Sequence, residues 1–312
     1  MYRAPSEISL PSFFINLRAV KKSALSLLVI FLAGSVHAQI QVELKLKRLQ
    51  YIAYEPLIAT VTVTNLAGRD IELHDDRGQH WFGFEVTGKE GQPIGPVARA
   101  GEETPLRVES GKTVVRKINL TPLYEVHDPG TFHVRANIYF ADLNKFFYSP
   151  ARAFQVINAR PIWQTTVGVP EGTSDAGEAR TYSLLSNRFA DHTSLYVRVE
   201  NKDSGVVYGT YSLGRIIAYD EPQKEIDRAN QLHVLHCAAP RTWAYSHIGL
   251  NGQLLKQATF METKTRPRLR RTSGGEIAVS GGMRDDAAAS AIRSAAPKLS
   301  TRPAELPKDD EQ

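Results

Sequence analysis

The sequence predicts an all-β protein, with a β-sandwich followed by a second β-rich domain of the meander or sandwich type. Short apolar–polar alternations recur along the chain, turn residues separate them, and a helical pattern is confined to one short segment. We divide the 312 residues into a signal peptide (1–38), a first β-domain (39–158), a second β-domain (159–282) and a disordered tail (283–312).

The N-terminal segment is typical of an export signal. A lysine pair at 21–22 precedes an apolar run at 24–34, and Ala38 stands at the expected cleavage position before Gln39. Spanning a bilayer takes about 20 residues, so this shorter run favours a cleaved signal over a membrane anchor. Translation from a start near residue 20 is an alternative. The sequence therefore predicts export to the periplasm or the outside of the cell, with no transmembrane span after cleavage.

The net charge argues against a nucleic-acid partner. The formal charge is +5 and the isoelectric point is near 9.2. Residues 1–38 hold four basic residues and one acidic residue, so +3 of the +5 belongs to the signal and +2 to the rest. A mature chain with interleaved charges of both signs lacks the basic patch that nucleic acid requires.

The first domain opens with two alternating strands. Residues 40–46 place apolar side chains on one face and polar ones on the other, and residues 58–65 alternate alanine or valine with threonine. Further short segments follow, separated by turn clusters such as DDRGQ and HDPG. This spacing predicts a sandwich of about seven strands in residues 39–158.

Part of this domain resembles immunoglobulin-like or fibronectin-III-like modules in architecture. The resemblance rests on YEPLIATVTVTN and on ESGKTVVRKINLTPLYEVHDPGTFHVRANIYF, with Tyr124 placed for a corner role. The paired cysteines of antibody domains are absent, since Cys237 is the only cysteine in the chain. The resemblance implies a sandwich used for adhesion, binding or spacing.

The second domain is again β-rich. Residues 193–201 alternate, and Asn251-Gly252 and Gly274-Gly275 each mark a hairpin turn. The segment EPQKEIDRAN at 221–230 favours a helix, with a proline in its first turn. Residues 283–312 are rich in Ala, Ser, Pro and charge, and they hold too little apolar surface to offset the entropy of ordering.

The sequence predicts no catalytic residue and no cofactor. AVSGG at 278–282 is close to a hydrolase nucleophile motif, but no histidine follows His247, whereas that fold needs one after its serine. Glycine-rich phosphate loops, H-E-x-x-H and paired C-x-x-C motifs are absent from the sequence.

Two segments carry metal-ligating residue types, although we predict no resident metal. The first is a turn that contains His74, Asp75, Asp76 and His80. The second is QLHVLHCAAP, with His233, His236 and Cys237. As a strand, the second segment places His233 and Cys237 on one face and His236 on the other. A helix continued from Pro222 would instead bring all three to one face; we favour the strand.

Aromatic side chains supply the main indication of a binding surface. They cluster in HWFGFEV and in IYFADLNKFFYS, where neighbouring strand residues alternate sides, so some rings are expected to face away from the core. The predicted binding surface consists of Trp81, Phe82, Phe84, Phe146, Phe147 and Tyr148. Packing of these rings in the core or against the second domain is the alternative.

These observations predict an exported, non-catalytic β protein that acts as an interaction or structural module with a protein or glycan partner. One alternative is carbohydrate recognition, or an accessory role to an enzyme, through exposed aromatic rings. The other is a hydrolase with its site at the domain junction.

Overall fold

The computed structural model describes residues 40–97, 103–217 and 220–285, and it is nearly all β, as predicted. The predicted signal peptide (1–38) and the predicted tail beyond residue 285 lie outside these residues.

The strands up to residue 158 are β1 (Ile40–Leu46), β2 (Gln50–Ile52), β3 (Ile58–Asn65), β4 (Ile71–Leu73), β5 (Phe82–Thr87), β6 (Pro93–Ile94), β7 (Leu106–Val108), β8 (Thr113–Asn119), β9 (Gly130–Phe140), β10 (Lys145–Tyr148) and β11 (Arg152–Ile157). The strands after residue 158 are β12 (Arg160–Gly168), β13 (Ala179–Arg188), β14 (Thr193–Asn201), β15 (Val207–Arg215), β16 (Gln223–Ile226), β17 (Leu232–Ala239), β18 (Thr242–Ile248), β19 (Leu254–Met261), β20 (Arg268–Arg271), β21 (Ile277–Ser280) and β22 (Met283–Asp285). Short 3-10 turns occupy Lys89–Gly91 and Ala141–Leu143.

The first part of the chain is built around one apolar core. The sheet β1-β3-β8 and the sheet β2-β11-β9-β5-β6, with β10 also paired to β9, both contribute buried side chains to it, and the pair β4-β7 adds to it. Strand β1 follows the predicted alternation, since Ile40, Val42 and Leu44 are buried. The described residues before 158 form eleven strands rather than about seven, because β2, β4, β6 and β7 span only two or three residues and show no readable period.

The second part of the chain stacks three layers. The sheet β12-β13-β14-β15 packs against one face of the sheet β16-β17-β18-β19-β22, and the hairpin β20-β21 covers part of the other face. The middle sheet is therefore buried on both sides, which explains the nearly continuous burial of Leu232–Ala239. Both predicted hairpin turns are present, with Gly252 and Gly275 at positive φ.

Two sequence-based boundaries are wrong. The segment 221–230 is not a helix: residues 223–226 pair with β17, and residues 227–231 form the following turn. A ten-residue segment is too short for a stable isolated helix, and pairing at the sheet edge satisfies its backbone. Residues 283–285, which are predicted to belong to the tail, form β22 and pair with β19; Met283 is exposed, so composition gave no signal of this backbone pairing.

Polar contacts join the two parts of the chain. The Arg198 guanidinium donates to the Ala53 carbonyl oxygen at 2.7 Å and lies over the Tyr54 ring at 5.1 Å. Arg48 pairs with buried Glu55 at 2.6 Å and donates to the Tyr196 hydroxyl at 3.3 Å. Among the described residues no sheet combines strands from both sides of residue 158, and the domain boundary placed there stays a prediction.

Candidate functional site

A half-open cavity of about 370 Å³ lies at one end of the middle sheet of the second part. Its walls come from the turn after β16, from β17, β18 and β19, and from the turn of the hairpin β20-β21. The lining residues are Asp227, Arg228, Ala229, His233, Tyr245, His247, Lys256, Gly274, Gly275, Glu276 and Ile277. The cavity thus brings together groups of both charges, two imidazoles and a phenol.

A chain of hydrogen bonds forms the inner wall. Asp227 Oδ1 accepts from the backbone N–H groups of Ala229 and Gln231, both at 2.9 Å. His233 Nε2 lies 3.0 Å from Asp227 Oδ2, and His233 Nδ1 lies 2.7 Å from the Tyr245 hydroxyl. Because an ionised carboxylate only accepts, His233 donates through Nε2, and its Nδ1 accepts from Tyr245.

A second histidine lies against the first. Strands β17 and β18 place His247 directly opposite His233, and the two rings stack with their centroids 4.1 Å apart. His247 Nε2 is 2.7 Å from Gln231 Oε1 and 3.7 Å from Asp227 Oδ2. Asp227, His233 and His247 each present a ligating atom within 4.8 Å of the other two; we call these three residues the Asp–His–His cluster.

The cavity sets the protonation of its groups. Burial favours the neutral acid at Asp227, but hydrogen bonds from His233 and from backbone N–H groups outweigh it and lower the pKa of the carboxyl. Burial, followed by the nearby His233, lowers the pKa of His247, so this imidazole is neutral at pH 7. Burial and the charge of Asp227 raise the pKa of Tyr245 to about 12, so the phenol keeps its proton.

The turn at residues 74–80 does not assemble the predicted ligands. His80 Nδ1 bonds Asp75 at 2.8 Å rather than Asp76, and Asp75 also accepts from the Trp81 backbone N–H at 2.9 Å. Asp76 pairs weakly with Arg77 at 3.6 Å. The Asp75 carboxylate therefore orders the turn that leads into β5, as acidic residues in turns often do.

The segment QLHVLHCAAP is a strand, and only one of its three candidates belongs to the cluster. His233 faces the cavity side of the sheet together with Cys237, whereas His236 faces the other layer, as the strand pattern predicts. Cys237 is buried and donates its thiol to the Ala239 carbonyl oxygen at 3.2 Å. Burial raises the pKa of this thiol, which disfavours a reactive thiolate.

Sequence reasoning missed Asp227 and His247, the partners of His233. The hairpin register contained the signal: with the turn at 240–241, His233 and His247 face each other across β17 and β18. Finding them required the strand interpretation to be extended into the following strand. Asp227 was assigned to a helix, which hid its position in a turn beside the sheet.

The aromatic residues predicted to form a surface divide between core and solvent. Trp81, Phe82 and Phe147 are buried in the core of the first part, so their prediction as surface residues is wrong. Trp81 precedes β5 and enters the core from a bend, outside the alternation that governs strand residues. Tyr148 is exposed as predicted. Phe84 and Phe146 are half-buried, and Phe146 stacks on Tyr148 with centroids 6.1 Å apart.

No protein-family model matches the chain, and no curated protein matches it. Among solved structures, the chain is similar to the crystal structure of Spo0M, a sporulation control protein from Bacillus subtilis, with 9% sequence identity and a TM-score of 0.25. The match covers 56% of this chain and 91% of that chain. A TM-score of this size carries no argument about function, which is therefore inferred from the residues.

The described residues contain no helix with the length and apolarity needed to cross a membrane.

Proposed function

We propose that the protein is an exported, non-catalytic β protein that binds an acidic group of a protein or glycan partner in the cavity described above. The observation that carries the proposal is the hydrogen bonding and protonation of the side chains on the inner wall of the cavity. His233 bonds Asp227 through one ring nitrogen and Tyr245 through the other, in a linear chain that ends on a protonated phenol. A chain of this kind resembles a nucleophile–histidine–acid arrangement but ends on a group with little nucleophilic power at neutral pH.

The rim of the cavity supports an acidic partner. Arg228 and Lys256 line it, and neither forms an ion pair with another described residue. Both Asp227 oxygens are occupied by hydrogen bonds from His233 and two backbone N–H groups. Asp227 and Glu276 balance the formal charge of Arg228 and Lys256, but neither cation is held in an ion pair with a described residue, so both can pair with an acidic group of a partner.

The alternatives have weaker support in the geometry. Glycan recognition through exposed aromatic rings has weak support because three of the six predicted aromatic side chains are buried in the core. At the junction of the two parts, the polar groups of Arg48, Glu55 and Arg198 are occupied by one another or by backbone and hydroxyl partners. Export is proposed from the signal-like segment at residues 21–38, with its lysine pair, apolar run and cleavage site before Gln39.

Site-specific photocrosslinking in the native cells tests the proposal. A photoreactive residue replaces Ala229 at the cavity rim or, as the matched control, Val115 on the exposed face of β8. We expect a discrete adduct from position 229 and none from position 115. Mass spectrometry of the recovered protein tests export in the same preparation, because the mature chain should begin at Gln39.

A charge-reversal pair makes the test specific for the rim. The double variant Arg228→Glu, Lys256→Glu should abolish the adduct, because it repels an acidic group. The matched variant Lys112→Glu, Arg188→Glu carries the same change in net charge at exposed positions away from the cavity and should keep it. Equal loss in both variants, or an adduct from position 115 alone, would contradict the proposal.

A further inference from the structure

We infer that Asp227, His233 and His247 form a binding site for a divalent transition-metal ion of the zinc class. This inference rests on the proposed function only in that it uses the same cavity, in which it places a metal ion. The cluster supplies two imidazole nitrogens and one carboxylate oxygen, a set that suits zinc, copper, nickel or iron(II). Calcium and magnesium prefer oxygen ligands throughout.

The distances in the cluster fit one shared ion. An ion about 2.0–2.2 Å from each nitrogen or oxygen ligand, at tetrahedral angles, separates the ligand atoms by about 3.3 Å. His233 Nε2 and His247 Nε2 lie 3.0 Å and 3.7 Å from Asp227 Oδ2, on either side of that value. The third separation, between the two histidines, is within 4.8 Å.

Asp227 and His233 each have a hydrogen-bond partner that can orient them toward a metal ion. Asp227 Oδ1 is occupied by two backbone N–H groups, which fixes the carboxylate and leaves Oδ2 for the ion. The Tyr245 hydroxyl bonds His233 Nδ1, and it accepts from that nitrogen as readily as it donates to it. On metal binding the His233 proton therefore moves from Nε2 to Nδ1, which donates to the Tyr245 hydroxyl and leaves Nε2 free for the ion.

The third ligand has to move. His247 stacks on His233 with the ring planes only 18° apart, so their Nε2 atoms do not point to one shared ion position in this arrangement. Binding requires the His247 ring to turn and to exchange its contact with Gln231 for the ion. His247 is at the cavity wall and half-buried, which gives it room that the buried His233 lacks. Three protein ligands also leave a coordination position open toward the cavity, where an acidic partner group can complete the site.

Isothermal titration of the untagged purified protein with ZnCl₂ tests the inference. We expect one Zn²⁺ per chain and no heat of binding with CaCl₂ or MgCl₂. His247→Gln and Asp227→Asn should each weaken Zn²⁺ binding by at least about 10-fold, since each removes a ligand. Asn at 227 still accepts the two backbone N–H groups, so this variant keeps the turn.

The matched control is His80→Gln, an exposed histidine that also bonds an aspartate. It should bind Zn²⁺ as the wild type does. Absence of stoichiometric binding, or a loss in His80→Gln with none in His247→Gln, would overturn the inference. Crosslinking from position 229 with and without EDTA separates the two proposals: an adduct in a protein that binds no zinc leaves the proposed function standing without its metal. Zinc binding in a protein that gives no adduct supports the metal site and contradicts the proposed partner binding.

Discussion

Replacement of Trp81 by alanine is expected to lower the free energy of unfolding by about 3–5 kcal/mol. Trp81 is 1% exposed and packs in the core of the first part, with its ring centroid 5.6 Å from that of Phe82. The Arg116 guanidinium lies 5.1 Å from the same ring. Truncation removes a large buried side chain and leaves a cavity that rigid strands on both sides cannot close.

Urea denaturation followed by circular dichroism measures this loss. The matched control is Tyr148→Ala, from the same group of aromatic residues but 44% exposed. Tyr148 contacts Arg135, with 4.4 Å between the guanidinium carbon and the ring centroid, so its removal should cost no more than about 1 kcal/mol. A smaller loss for Trp81→Ala than for Tyr148→Ala would place Trp81 on a surface and contradict the fold described here.

Acidification from pH 7 to pH 4 is expected to remove about 3 kcal/mol of stability through His236 alone. The side chain is 0% exposed between the two sheets of the second part, and burial lowers the pKa of His236 to about 4 from the usual 6.5. Nε2 donates to the Arg215 carbonyl oxygen at 3.1 Å, while Nδ1 has no partner among the described residues. A proton on Nδ1 would therefore place an unpaired charge in the core.

The sign of the pH effect follows from these protonation states. Between pH 6.5 and pH 4 the unfolded chain binds a proton at residue 236 that the folded chain refuses, so stability is full above pH 6.5 and falls as the pH drops. His236→Gln removes the titrating group and should flatten this part of the profile, whatever its effect on stability at pH 7. His133→Gln, at an exposed position on β9, should leave the profile unchanged. A profile that keeps its slope in His236→Gln would contradict the buried neutral state.

The sequence predicted β structure most clearly where a strand of seven or more residues has one face in the core and the other in water. In β1 the apolar and polar side chains alternate because the strand has one buried and one exposed face. Strand β17 is buried on both faces, so alternation is lost, and helix and strand interpretations of QLHVLHCAAP could be separated only by structure. Strands such as β4 and β7 hold three residues each, too few for any period.

The candidate site was only partly predictable for a related reason. His233 stood out by its residue type, but its partners come from a turn and from the next strand. Asp227 bonds His233 across the turn at 227–231, and His247 is reached through the register of β17 with β18. Composition shows neither relation, because both depend on where the hairpin turns. His236, three residues after His233, faces the other layer because strand residues alternate sides.

Among the described residues, we expect the Asp–His–His cluster to be the place where the protein binds a metal ion. The most direct test is an anomalous difference map at the zinc absorption edge, from crystals of the zinc-loaded protein. We expect a peak about 2.0–2.2 Å from Asp227 Oδ2 and from the Nε2 atoms of His233 and His247. An empty cluster, with zinc bound instead at the turn of His74, Asp76 and His80, would contradict it.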